Sequence, residues 1–168
     1  MRAVDIWMSL PAVVFAIAII AVLGVGVVNV ALAIILIDWT RFARVVRSEV
    51  MNIREKDFIS AAKVSGLGDF SIILGEVVPN LTPLLIVLFT LEMSIAITVE
   101  VLLSFTGLGV GPSMPSWGSM IAEGLGYFRV NAWGVLVPLV AVIIVIMSLN
   151  VLGDGLRVRL DPRLSVTK

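Results

Sequence analysis

The chain has 168 residues, 60% of them hydrophobic and 14% charged, with a mean hydropathy of +1.12 and a formal net charge of +0. A soluble domain is about half apolar and roughly a quarter charged, so this is the composition of an integral membrane protein, and its balanced charge offers no electrostatic footprint for nucleic acid. Cysteine and histidine are both absent, which excludes disulfide frameworks, thiolate or imidazole metal sites and every Ser/His or Cys/His catalytic arrangement.

The N-terminus, interrupted by Asp5, lacks a signal-peptide pattern. Residues 4–37 form one apolar run. As a single helix it would reach about 50 Å against a hydrocarbon core of roughly 30 Å. We read Gly24-Val25-Gly26 as a tight turn between two crossings, 5–23 and 27–45, with one steeply tilted helix as the alternative. Asn29 suits the polar interface beside that turn. Pro11 and Pro138 read as helix kinks, with a hinge role open for each.

Arg41, Arg44, Arg47, Arg54, Lys56 and Lys63 then fall in one polar segment. Within it, two short helical patterns, 57–65 and 69–77, are separated by Gly66-Leu67-Gly68. Gly66 suits the left-handed position that ends a helix, and Asp69 suits an N-cap. The pair Ala61-Ala62 leaves a nearly bare face that lets another backbone or groove come close. The alternative is a loop packed on its own chain.

The third crossing is expected over 81–105, with Thr82 as N-cap and Pro83 at the first helical position. Residues 106–131 form a Gly/Pro-rich connection with a single cation, Arg129. In it Ser116 is placed to cap a short amphipathic helix to Glu123, ended by Gly124. Trp117, Tyr127, Phe128 and Trp133 read first as an interfacial aromatic belt and second as substrate contacts. The fourth crossing is expected over 132–152, followed by Arg157, Arg159, Arg163 and Lys168. Four crossings put every cation except Arg129 on one side, which the positive-inside tendency makes cytoplasmic, together with both termini. Three crossings would move only Arg2. The fold class is therefore all-α: a polytopic membrane helix bundle of about four transmembrane helices, with a cytoplasmic helix–turn–helix loop.

Glu92 and Glu100 lie within the third crossing, where a carboxylate should face protein or water rather than lipid. Each reads either as lining a translocation path or as a structural partner. Eight residues advance about 80° beyond two full turns, so the two do not share a face.

Ala61, Ala62, Gly66 and Pro79 keep the spacing of the EAA loop, and this stretch resembles that cytoplasmic loop of ABC importer permeases. Ser60 stands in place of its Glu, while Glu76 and Val78 replace its Ile and Leu. Three further stretches narrow the resemblance to the dipeptide/oligopeptide/nickel permease family. They are 38–47 (DWTRFARVVR), 103–110 (LSFTGLGV) with Pro115-Ser116-Trp117-Gly118, and 150–157 (NVLGDGLR) with 160–164 (LDPRL). The resemblance implies one ABC-type-1-like permease domain over residues 1–168, lacking the two N-terminal crossings of a six-helix domain.

It further implies that Ser60, Ala61, Ala62, Gly66, Asp69 and Pro79 couple the chain to cytoplasmic ATPase subunits. Loss of the Glu at Ser60 removes one partly exposed charge contact, worth about 1 kcal/mol or less. Expected partners are a second permease subunit, two ABC ATPase subunits, an extracytoplasmic solute-binding protein and membrane lipid. ATP and Mg would sit on the ATPase partners, with no cofactor, metal or catalytic residue on this chain, which has no GxxxxGK[ST] loop. The expected location is a prokaryotic inner or plasma membrane, crossed several times. The expected cargo is a small peptide, with nickel complexes, glutathione and sugar oligomers as related options. Two alternatives stay open: a secondary transporter or channel using Glu92 and Glu100, for which inverted repeats would be expected and none is found, and a truncated, nonfunctional permease fragment.

Overall fold

The computed structural model describes Val4, Trp7, Met8 and residues 11–160. Arg2, Asp5 and residues 161–168, with the end of the C-terminal signature and its cations, lie outside the described residues. The helices are α1 Ala12–Leu23, α2 Val27–Arg54, α3 Asp57–Val64, α4 Asp69–Ile72, α5 Val78–Phe105, α6 Trp117–Gly126 and α7 Trp133–Leu160. A π turn, Ile73–Val77, joins α4 to α5. Among the described residues there is no strand.

Two stretches are long and apolar enough to cross a membrane, Asp69–Phe105 and Trp133–Arg159, while Ala12–Leu23 is a shorter apolar helix. α2 is 28 residues long but carries three charges, Asp38, Arg41 and Arg44, within its first eighteen residues, so it is less apolar than those two stretches. The turn between α1 and α2 falls at Gly24-Val25-Gly26, with φ +86° at Gly24. Asn29 closes it, its Nδ2 donating to the carbonyls of Leu23 (2.9 Å) and Gly24 (3.0 Å). These are end-of-helix carbonyls that have no intrahelical donor.

Four local expectations are corrected. Pro11 does not kink a helix; it precedes α1 in extended backbone at φ −60°, ψ 121°, where its missing N–H is not needed. The third crossing does not begin at a Thr82 cap. Its helix is continuous from Asp69 to Phe105, 37 residues, and the Thr82 hydroxyl instead donates back to the Val78 carbonyl at 3.0 Å. Pro79 takes the early helical position instead, and Pro83 lies inside α5. Gly124 does not end the connecting helix, which continues to Gly126.

Pro79 is accommodated by the π turn just before it. An interior proline removes one ladder bond and crowds the preceding turn, and a π turn relieves both. Its side effect is visible in the burial pattern. Ile72, Val77, Leu81 and Leu88 are all buried, so the apolar stripe steps by five residues across the turn and then by four and seven, the helical spacings, after it.

α5 is the central element. It packs against α2, α6 and α7, while α1 packs against α2 and α6 against α7. Small residues set the closest approaches. In α6, a Cβ on Gly124 would stand 2.6 Å from the carbonyl carbon of Gly134 in α7. At the other end of α7, Gly153 lies against Thr90 of α5, and Ser94 Oγ reaches Asn150 Oδ1 at 3.4 Å. α5 and α7 are therefore antiparallel, and the Arg157 end of α7 lies toward the Gly66 end of the molecule. At the opposite end the Gly26 N–H donates to Gly109 O at 3.1 Å, tying two loops together.

α6 is fixed at its start by Ser116. The Ser119 N–H donates to Ser116 Oγ and the Ser116 N–H donates to Ser119 Oγ, each at 3.2 Å, a reciprocal capping box. Ser116→Ala should lower stability by about 1 kcal/mol, the usual worth of such a cap, read as a fall in thermal midpoint of the detergent-solubilised protein.

Candidate functional site

The segment between α2 and α5 folds as a helix–turn–helix with two unlike faces. The inner face is a core: Ile53 at the end of α2, Ile59 and Ala62 of α3, Ile72 of α4, Val77 in the π turn and Leu81 of α5 are buried together. Val46, Val50, Phe58, Leu84 and Leu85 pack around them. Burying these side chains fastens the segment to both long helices, at roughly 1.5–3 kcal/mol for each large one.

The outer face is apolar but uncovered. Val64 is 89% exposed, Phe70 74%, and Leu67, Ile73 and Leu74 are about half exposed. These residues lie on both sides of the Gly66 turn in the sequence, from Val64 to Leu74.

Gly66 makes the turn. At φ +78° it takes the left-handed position that a Cβ would strain. The Leu67 N–H donates to Ala62 O at 3.2 Å and the Gly66 N–H to Lys63 O at 3.0 Å, the bond pair of a Schellman ending. Ser65 adds its hydroxyl to the Ala61 carbonyl at 2.9 Å. Asp69 does not cap α4. Gly68 holds the N-cap position with no side-chain cap bond, and Asp69 is the first helical residue, where its charge still favours the positive end of the helix dipole.

The two alanines separate. Ala61 is exposed beside Ser60, whereas Ala62 is 9% exposed and belongs to the inner core. The bare face expected of the pair is thus half its predicted width, and Val64, Leu67 and Phe70 supply the rest of the outer surface. Apolar residues flanking Gly66 in an otherwise polar loop were the signal for them. Pro79 lies exposed where α4 and the π turn run into α5.

The two acids sit apart. Glu100 Oε1 accepts from the Ser104 hydroxyl at 2.6 Å. Ser104 in turn lines a cleft of about 270 Å³ with Gly107, Gly109, Ser116, Ser119 and Glu123. Glu92 points the other way, toward α2, with Oε2 3.7 Å from the Arg41 guanidinium. Arg41 was not singled out in the sequence, although an arginine this far along an apolar helix calls for a counter-charge. Among the described residues no group of three acidic side chains converges to hold a metal ion.

The family described as binding-protein-dependent transport system inner membrane component is matched over residues 1–166. The chain is 37% identical over 164 residues to the di/tripeptide transport system permease protein DppC of Pseudomonas aeruginosa, covering 98% of the chain and 54% of that protein. It is 38% identical over 163 residues to the dipeptide transport system permease protein DppC of Alkalihalophilus pseudofirmus, covering 97% and 54%. With the glutathione transport system permease protein GsiD of Salmonella typhimurium it shares 35% over 164 residues, covering 98% and 54%. The chain spans about half the length of these curated relatives.

Proposed function

The chain belongs to the family of binding-protein-dependent transport system inner membrane components, and from that premise we propose that it is a permease subunit of an ATP-driven importer of small peptides or related solutes. In this reading residues 1–168 form one permease domain that crosses the membrane four times, through α1, α2, α5 and α7. The helix–turn–helix segment lies in the cytoplasm and is the coupling loop. Arg47, Arg54, Lys56 and Lys63, with Arg157 and Arg159, fall toward the loop's end of the molecule, and the positive-inside tendency supports a cytoplasmic location for that end.

The observation that carries the reading is the two-faced loop. Its inner face is packed onto α2 and α5, so the loop cannot move without them. Its outer face presents Val64, Leu67 and Phe70 with nothing over them. A helix of 37 residues is about 55 Å long, well beyond a hydrocarbon core of roughly 30 Å. That surplus supports a reading in which α4 and the π turn stand outside the membrane as the rigid foot of α5. An ATPase subunit seated on the outer face would push directly on that foot. Ser60, Ala61, Gly66, Asp69 and Pro79 then serve the seating and its geometry, and Ala62 anchors the loop from within.

Nucleotide chemistry would belong to the ATPase partners. A second permease subunit would complete the pathway, and an extracytoplasmic binding protein would deliver cargo to the Gly109 end. Glu100 and Ser104 beside the cleft are the polar groups of this chain placed to line that end of the path.

The test is purification of the epitope-tagged chain from its native membrane in mild detergent. An ABC ATPase and a second permease should accompany it. Recovery of the intact chain with neither, under conditions that preserve its helical fold, would count against the reading.

A further inference from the structure

We propose that Arg41 and Glu92 are a positioning pair that clamps α2 to α5 inside the membrane, so that force entering at the loop moves both helices as one body. The inference rests on the coupling role of the loop and adds a second fastening to it. The loop's inner core holds α2 and α5 together at their Gly66 end. At the opposite end, Val30, Ala33 and Leu103 join them with α1. Between these two cores lies the Arg41–Glu92 pair, linking the same two helices.

The pair is sensitive to separation. Both Glu92 oxygens are buried and accept no hydrogen bond from any described residue. A buried carboxylate without donors depends on the nearest opposite charge, and here that is Arg41 at 3.7 Å. Asp38, on the same helix as Arg41, lies within electrostatic reach of both: it attracts the guanidinium and repels the Glu92 carboxylate, so Arg41 is the charge that lets the two acids face each other across the α2–α5 contact. Separating α2 from α5 would leave Glu92 as an uncompensated charge in apolar surroundings, so the two helices are held in step.

The experiment uses the assembled transporter in proteoliposomes and reads solute imported per ATP hydrolysed. Arg41→Gln and Glu92→Gln should each lower that ratio by about tenfold, the scale of a contact-pair coupling, while the ATPase subunit still co-purifies. The exchange Arg41→Glu with Glu92→Arg should recover most of the ratio. A purely structural pair gives a different result: less assembled transporter and a lower thermal midpoint, with the ratio unchanged. That outcome overturns the proposal, as does an exchange variant no better than the single ones. Failure of the ATPase to co-purify with the unaltered chain would instead strike the coupling reading beneath it.

Discussion

Phe70→Asp is expected to release the ATPase subunit from the detergent-solubilised complex while leaving the permease folded. Phe70 is 74% exposed on the outer face of the loop, so its loss removes no contact from the chain's own core. An exposed aromatic on an apolar surface is the usual profile of a binding hot spot. Truncating one costs about 2 kcal/mol or more, roughly thirtyfold in affinity, and a buried carboxylate in its place adds to the loss. Pull-down followed by quantification of the ATPase reads the effect directly. The matched comparison is Ala62→Arg, which should act differently. Ala62 is packed among Ile53, Ile59 and Ile72, so an arginine there disrupts the loop itself and lowers thermal stability as well as docking. If Phe70→Asp leaves the ATPase fully bound, the docking surface is not the one around Gly66.

The largest effect on stability is expected from Gly124→Leu. A Cβ at this position would lie 2.6 Å from the backbone of Gly134, and backbone, unlike a side chain, cannot rotate away. α6 and α7 would have to move apart along their whole contact, which puts the cost at the upper end of overpacking, about 3 kcal/mol or more. Gly126→Ala, two residues on, is the control. Nothing lies within 4 Å of its Cβ position, and alanine is the better helix former by about 0.5–1 kcal/mol. Thermal unfolding in detergent should therefore move in opposite directions for the two variants. Equal behaviour would mean that α6 does not rest on α7 through these glycines.

Much of the fold was legible because its determinants are local. The Gly24–Gly26 break, the Gly66 turn and the Ser116 cap each depend on residues a few positions away, and each was read from the chain. What was missed depends on distance or on a change of period. Asp69 looked like a cap because Asp commonly is one, but the backbone enters the helix one residue earlier. Thr82 and Pro83 have the chemistry of a helix start. Only the continuity of packing from Ile72 to Leu88 reveals that the helix has already begun. Ala61 and Ala62 look alike in sequence, and the loop's inner core alone tells them apart. Arg41 and Glu92 are separated by some fifty residues of chain, so no local pattern could join them.

The π turn at Ile73–Val77 also governs which way the loop faces. In a helix each residue turns the chain through about 100°, so one residue more or fewer in this turn would swing Phe70 and Leu67 around the axis by more than a quarter of a circle. Grafting the loop of another permease onto this chain should therefore succeed only when the graft carries its own Ile73–Val77 equivalent. A splice made between Asp69 and Ile72 would join well-matched ends and still aim the contact surface at the wrong bearing.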